Sequence, residues 1–186
     1  MATLKQQDEF TAFLESCIWL QNCFNTFNHL YNSGKETEET LRRVAPLFFE
    51  DLNSILQEYF FLQIRKITDP ANTRGRDNLT IQNINEDLVR SGLMSQEILD
   101  LSARILAYRD ILSDMSNRVI AHADKETAFR PDYVGTHSES DLNSFMSDMH
   151  SYTDAVGIVL GVGPLDYRVQ AGPGDVLDLI RALKRV

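Results

Sequence analysis

Basic residues are in short supply. Lys and Arg total 18 against 27 Asp and Glu, for a formal net charge of -9. A surface of that sign does not draw in a polyanion through its bulk field. Contact with nucleic acid requires a local basic patch, which Arg42-Arg43, Arg65-Lys66 and Arg74/Arg76 supply only if the fold gathers them. Oligomerisation is a second way to concentrate positive charge in a cleft. Cysteine is scarcer still. Cys17 and Cys23 are six residues apart, about 120° around a helix, so they share neither a metal nor a local disulfide. Two small hydrophobes in a reducing compartment is the simple reading. No apolar run approaches the roughly 18 residues that span a bilayer. The longest, AVGIVLGVG at 155–163, is about half that. The start, MATLKQQDEF, is polar and acidic and unlike a signal peptide. These absences predict a cytoplasmic protein. Strand signals are also missing, with no run alternating at period two and no Asn-Gly or Asp-Gly hairpin turn between β-branched runs.

Helical periodicity is what remains, and it is strong. The 186 residues, 43% hydrophobic and 24% charged, suffice for one core. From about Lys5 to Asn32, Phe10, Phe13, Leu14, Cys17, Leu20, Phe24, Phe27, Leu30 and Tyr31 recur at threes and fours. Gly34 suits the C-terminal cap of that helix and Thr37 the N-cap of the next. The second helix runs to about Thr68, with a kink or fresh start at Pro46. Phe48, Leu52, Ile55, Tyr59 and Leu62 form one apolar face and Phe49, Leu56, Phe60 and Ile64 another beside it. A stripe that wide predicts burial against more than one neighbour.

TDPANTRGRDN (68–78) reads as a loop, and LTIQNINEDLVRSG as a short helix ending at Gly92. Ser95 opens a further helix on which Ile98, Leu101, Ile105, Tyr108, Leu112, Met115 and Val119 step without a break. His122 is next in that rhythm, and the helix should stop shortly after Asp124. Ser138 and Asp141 resemble a capping box opening a helix to about Leu160. GVGPLDYRVQAGPGD is a linker, and DVLDLIRALKRV a last short helix. The expectation is an all-α helical bundle of four long helices plus one or two short ones. Residues 1–160 form the bundle, and 161–186 are a linker and C-terminal helix packing on the same domain.

Familiar cofactor and metal chemistry is absent. There is no P-loop, GxGxxG, HExxH or CxxC, and no Glu three residues before a His. No cofactor and no metal is expected. A metal set of His122, Asp124 and a distant His is the weaker alternative. What stands out is MSNRVIAHAD (115–124). Arg118 and His122 are four apart, about 40° on a helix, and close enough to touch. Arginine carries a permanent charge suited to phosphate, and histidine moves a proton near neutral pH. Together they are the minimum for metal-free cleavage of RNA, with the RNA's own 2′-hydroxyl as nucleophile. The alternative is structural. Arg118 pairs with Asp114 one turn back, and His122 is a core-edge residue at a helix end.

NRVIAHAD resembles the signature of the HEPN superfamily, especially its abortive-infection U-type (AbiU-like) branch. There a helix ends in Arg-Asn-Lys, two or three apolar residues and Ala-His-x-Asp. TDPANTRGRDNLTI is similar to the same branch, which shows Asp-Pro, a short polar stretch and Asn-Leu-Thr before the next helix. The two motifs cover about residues 45–125. The resemblance implies an all-α bundle. Many such domains are metal-independent RNases working as dimers, their Arg and His motifs facing one cleft, in toxin–antitoxin and abortive-infection systems. Others are non-catalytic binding modules.

Carried over by position, His122 matches the motif histidine, Asn117 the polar residue and Arg118 the basic residue after it. The motif arginine falls on position 116, where this chain has Ser116. Two functions follow from the resemblance. The first is an RNase in phage defence or a toxin–antitoxin system, with His122 as general acid/base, Arg118 as phosphate clamp, and Asn117 and Asp124 orienting them. The second is a degenerate, non-catalytic HEPN-like module that binds or dimerises, which Ser116 and the charge of -9 favour. A helical interaction protein with no nucleotide role is a third. The partners expected are RNA, a second copy of the chain, and an antitoxin or other protein, with no membrane.

Overall fold

Thr3 and Gln6 close the first helix from both sides. The Thr3 backbone N–H donates to Gln6 Oε1 at 2.9 Å, and the Gln6 N–H donates to Thr3 Oγ1 at 3.2 Å. This is a capping box, and α1 (Leu4–Tyr31) follows from it. The computed structural model describes residues 2–119, 139–165, 167 and 172–185. For residues 113–119 and 139 it describes the backbone alone. Within these bounds the order is α1, α2 (Lys35–Val44), α3 (Pro46–Thr68), β1 (Asn72–Thr73), β2 (Arg76–Asp77), α4 (Ile81–Arg90), α5 (Gln96–Val119), α6 (Glu139–Leu160) and α7 (Val176–Leu183). The fold is all-α, as the periodicity predicts. Among the described residues no helix is long and apolar enough to cross a membrane.

Three local expectations need correction. Gly34, at φ 100°, is the N-cap of α2 rather than the C-terminal cap of α1. Thr37 is not that cap. It lies inside α2, buried, and donates its backbone N–H to the Gly34 carbonyl at 3.2 Å. The stretch 68–78 is not wholly irregular, because β1 and β2 pair antiparallel as Asn72 with Asp77 and Thr73 with Arg76. The turn between them is Arg74-Gly75, with φ of 52° and 78°. Positive φ at both central residues is the tight hairpin turn whose twist matches the strands. Asn-Gly is its usual sequence, so Arg-Gly does not announce it. Pro46 does open a fresh helix, because Pro lacks an N–H and tolerates only the first turn. The proposed cap Ser138 lies outside the described residues.

The chain divides into two compact units. The first is Met1–Cys17 with Gln63–Leu165. Its core draws on α1 (Phe10, Phe13), α4 (Ile81, Leu88), α5 (Ile98, Ile105, Leu112) and α6 (Phe145, Met149, Tyr152, Val156), all buried. The Tyr108 ring lies on Phe145 with centroids 4.9 Å apart, and Phe13 meets Tyr152 edge-on. Tyr152 keeps its polar end satisfied by donating to Asn85 Oδ1 at 2.9 Å. Arg104 holds Asp148 through both Nε and Nη2, joining α5 to α6 at the rim.

The second unit is Ile18–Leu62 with Asp166–Val186. Leu30, Leu41, Phe49 and Ile180 pack together in it. The Tyr31 hydroxyl donates to the Phe49 carbonyl at 2.8 Å, and Lys184 meets Glu36 at 2.9 Å. Asp175 caps α7, accepting from the N–H groups of Leu177 and Asp178.

The wide stripe of α3 is half right. Phe49, Phe60 and Ile64 are buried, but Phe48, Ile55, Tyr59 and Leu62 are exposed. The second face is buried against neighbours; on the first, Leu52 packs against the second unit's core and Tyr59 accepts from Trp19, while Phe48, Ile55 and Leu62 face water.

Candidate active site at the end of α5

Ser95 starts α5 by accepting from the Ile98 N–H at 3.2 Å. The buried residues Ile98, Leu101, Ile105, Tyr108 and Leu112 then hold one face of the helix in the first unit's core for about four turns. That face sets the helix's rotation. From Leu112, position 116 lies about 40° around the axis and position 118 about 120° the other way. The backbone is helical through Ser116, Asn117 and Arg118 to Val119. Their side chains, and with them the Asp114–Arg118 pairing, lie outside the described residues. So do His122 and Asp124 entirely.

The second motif is described in full, and its residues have structural work. Asn78 closes the loop. Its side-chain amide donates to the Pro70 carbonyl at 2.8 Å and to Thr73 Oγ1 at 2.9 Å, and its backbone N–H donates to the Ala71 carbonyl at 2.7 Å. Asn72 Oδ1 accepts from the Gly75 N–H, holding the hairpin turn. Thr80 is the N-cap of α4, its hydroxyl accepting from the Asn83 N–H. Asp69 pairs with Arg109 at 3.9 Å. The structure thus brings the Asp-Pro loop against α5, nine residues or roughly 14 Å before Arg118 along the axis.

Asp69 and Arg109 were not singled out from the sequence. They stand 40 positions apart, and no local spacing links them. Of the basic residues expected to form a patch, Arg65, Lys66, Arg74 and Arg76 fall in this unit around the same loop. Arg42 falls in the other unit, tied to Glu38 at 2.8 Å.

Burial shifts several titratable groups of this unit. Burial pushes the Tyr108 phenol up, with a smaller push from Asp141. Burial does the same to Tyr152 and to the Cys17 thiol. Burial lowers His150, partly offset by the nearby Asp154. Among the described residues no group of three His, Cys, Asp or Glu side chains could hold a metal. The His122 and Asp124 set lies outside them.

The family model for AbiU2, a HEPN family, matches residues 4–179. The chain belongs to the AbiU2 family of HEPN proteins. No curated protein and no solved structure matches it. The family match runs through both quoted motifs and on to α7, so it spans both compact units and not the motif region alone. The closed Asp-Pro to Asn-Leu-Thr loop and the end of α5 are therefore parts of one family frame. Ser116, where the resemblance puts the motif arginine, lies within the matched span.

Proposed function

We propose that this AbiU2 protein is a metal-independent endoribonuclease acting in abortive infection against phage, in the cytoplasm, as a dimer of identical chains. The observation that carries the reading is the family match over 4–179, which includes Arg118 on a helix whose rotation is set by its core and His122 four residues further along the sequence. His122 takes the proton of the RNA 2′-hydroxyl. The 2′-oxygen attacks the adjacent phosphorus, and the 5′-oxygen leaves with a proton, giving a 2′,3′-cyclic phosphate and a 5′-hydroxyl. Arg118 holds the phosphate oxygens as charge builds on them. Asn117 and Asp124 orient the pair. Two copies facing one cleft would place two Arg118 side chains on one phosphate backbone and offset the acidic surface.

The test is RNA cleavage by purified protein with EDTA present throughout. The wild type should cleave. His122→Ala should lose about 100-fold or more of the rate, the usual worth of a general acid/base. Wild-type protein that binds RNA but leaves it intact would sink the proposal.

Ser116 favours a second reading, a non-catalytic HEPN-like module that dimerises or binds a partner such as an antitoxin. Serine has no permanent charge for a phosphate. On this reading Ser116→Arg creates activity where the wild type has none, and His122→Ala alters assembly or stability instead of turnover.

A further inference from the structure

The second unit leaves an organised apolar face in water. On α3, Phe48 (60% exposed), Ile55 (59%), Tyr59 (37%) and Leu62 (51%) fall within an arc of about 60° at 100° per residue. Trp19 of α1 (50% exposed) joins them, its indole N–H donating to the Tyr59 hydroxyl at 3.0 Å. That bond holds two large rings in place at the surface, which lowers the entropy cost of docking on them. An organised cluster of large apolar side chains at the surface often marks an interaction site.

Charge identifies the occupant. Residues 18–34 and 44–62 contain no lysine or arginine, and their charged residues are Glu50, Asp51 and Glu58. Asp51 and Glu58, both exposed, lie on one shoulder of the α3 stripe, about 60–80° from Phe48. A second copy of this face packed antiparallel would set carboxylate against carboxylate, and a parallel copy would leave the carboxylates without a cation. RNA would meet the same repulsion. A partner with an apolar stripe flanked by Lys or Arg satisfies both features.

We propose that the Trp19–Phe48–Ile55–Tyr59–Leu62 face is a docking site for a basic amphipathic helix of a partner protein. Phe48 to Leu62 spans roughly 21 Å, so the partner contributes about four turns. The site is independent of the α5 motif and stands whether or not that motif cleaves RNA.

Trp19 is the only tryptophan in the chain, so its emission reports on this face alone. The probes are a synthetic peptide of about 18 residues with leucines at helical spacing and lysines elsewhere, and its twin with glutamates. With the whole protein, the lysine peptide should shift Trp19 emission to the blue, saturably. The glutamate twin should bind at least about tenfold more weakly. Asp51→Lys with Glu58→Lys should invert that preference. Ile55→Ser with Leu62→Ser should weaken lysine-peptide binding at least about tenfold with unchanged circular dichroism, since both side chains are exposed. The proposal is overturned by no shift, by equal binding of the two peptides, or by a preference that survives charge reversal. It is also overturned if Trp19 emission is already blue in the protein alone and reddens on dilution, because a second copy then covers the face.

Discussion

α5 and α3 are near-equals in length, 24 and 23 residues, and both carry long apolar stripes. They use them in opposite ways. Along α5 every apolar residue of the stripe from Ile98 to Leu112 is buried in the first unit. Along α3 one stripe is buried and its neighbour, from Phe48 to Leu62, faces water. The lesson is that an apolar stripe states a demand for a partner without naming it. On α5 the demand is met inside the chain, and the helix end that carries the family motif inherits a settled rotation. On α3 half the demand is unmet, and the rings that carry it are held in place by a hydrogen bond.

The same substitution in the two regions breaks or sharpens this contrast most sharply. Ile105→Ala removes a fully buried side chain and should cost about 3 kcal/mol in urea unfolding. Ile55→Ala removes an exposed one and should change stability by less than about 0.5 kcal/mol. Equal losses would mean that Ile55 is covered in solution and would remove the basis for an open docking face.

A smaller effect tests the first unit's loop. Thr80→Ala deletes the cap of α4 and should cost about 1 kcal/mol. If the loop holds the frame of the α5 motif, as Asp69 against Arg109 indicates, the variant should also alter RNA binding in native protein. Unchanged binding would confine the Asp-Pro to Asn-Leu-Thr motif to folding.

The smallest expected effect is a pH dependence. Burial lowers the folded-state pKa of His150 below its unfolded value. The unfolded chain therefore takes up the proton first as pH falls. The stabilising contribution of neutral His150 is full above about pH 6.5 and is lost as pH falls through the lower folded value. Thermal unfolding of wild type against His150→Gln should diverge across that window and run parallel above it. Parallel curves throughout would place His150 in water.

Much of the fold is legible in the sequence. The buried steps of α1, α5 and α6 were all readable from spacings of three and four. Pro46 marked a helix start because its missing N–H is a local fact. The misreadings have separate causes. Gly34 was assigned to the helix before it, when its backbone conformation serves the helix after it. The Arg74-Gly75 turn lacked the residue that usually announces it. As a spacing of four, Arg118 with His122 was legible as a candidate pair, with the Arg118 side chain and all of His122 outside the described residues. Its tether, Asp69 with Arg109, was not, because it depends on closing a loop and two helices.

The sequence by itself determined the helices, the lack of any substantial strand among the described residues, and the membership of the AbiU2 family. All of these are properties of neighbours in the chain. Only the tertiary structure decided which α3 stripe is buried, that Asn78 clasps the motif loop, and that the loop reaches α5. Burial and hydrogen bonding between distant residues depend on what the rest of the chain brings alongside, and periodicity carries no record of that.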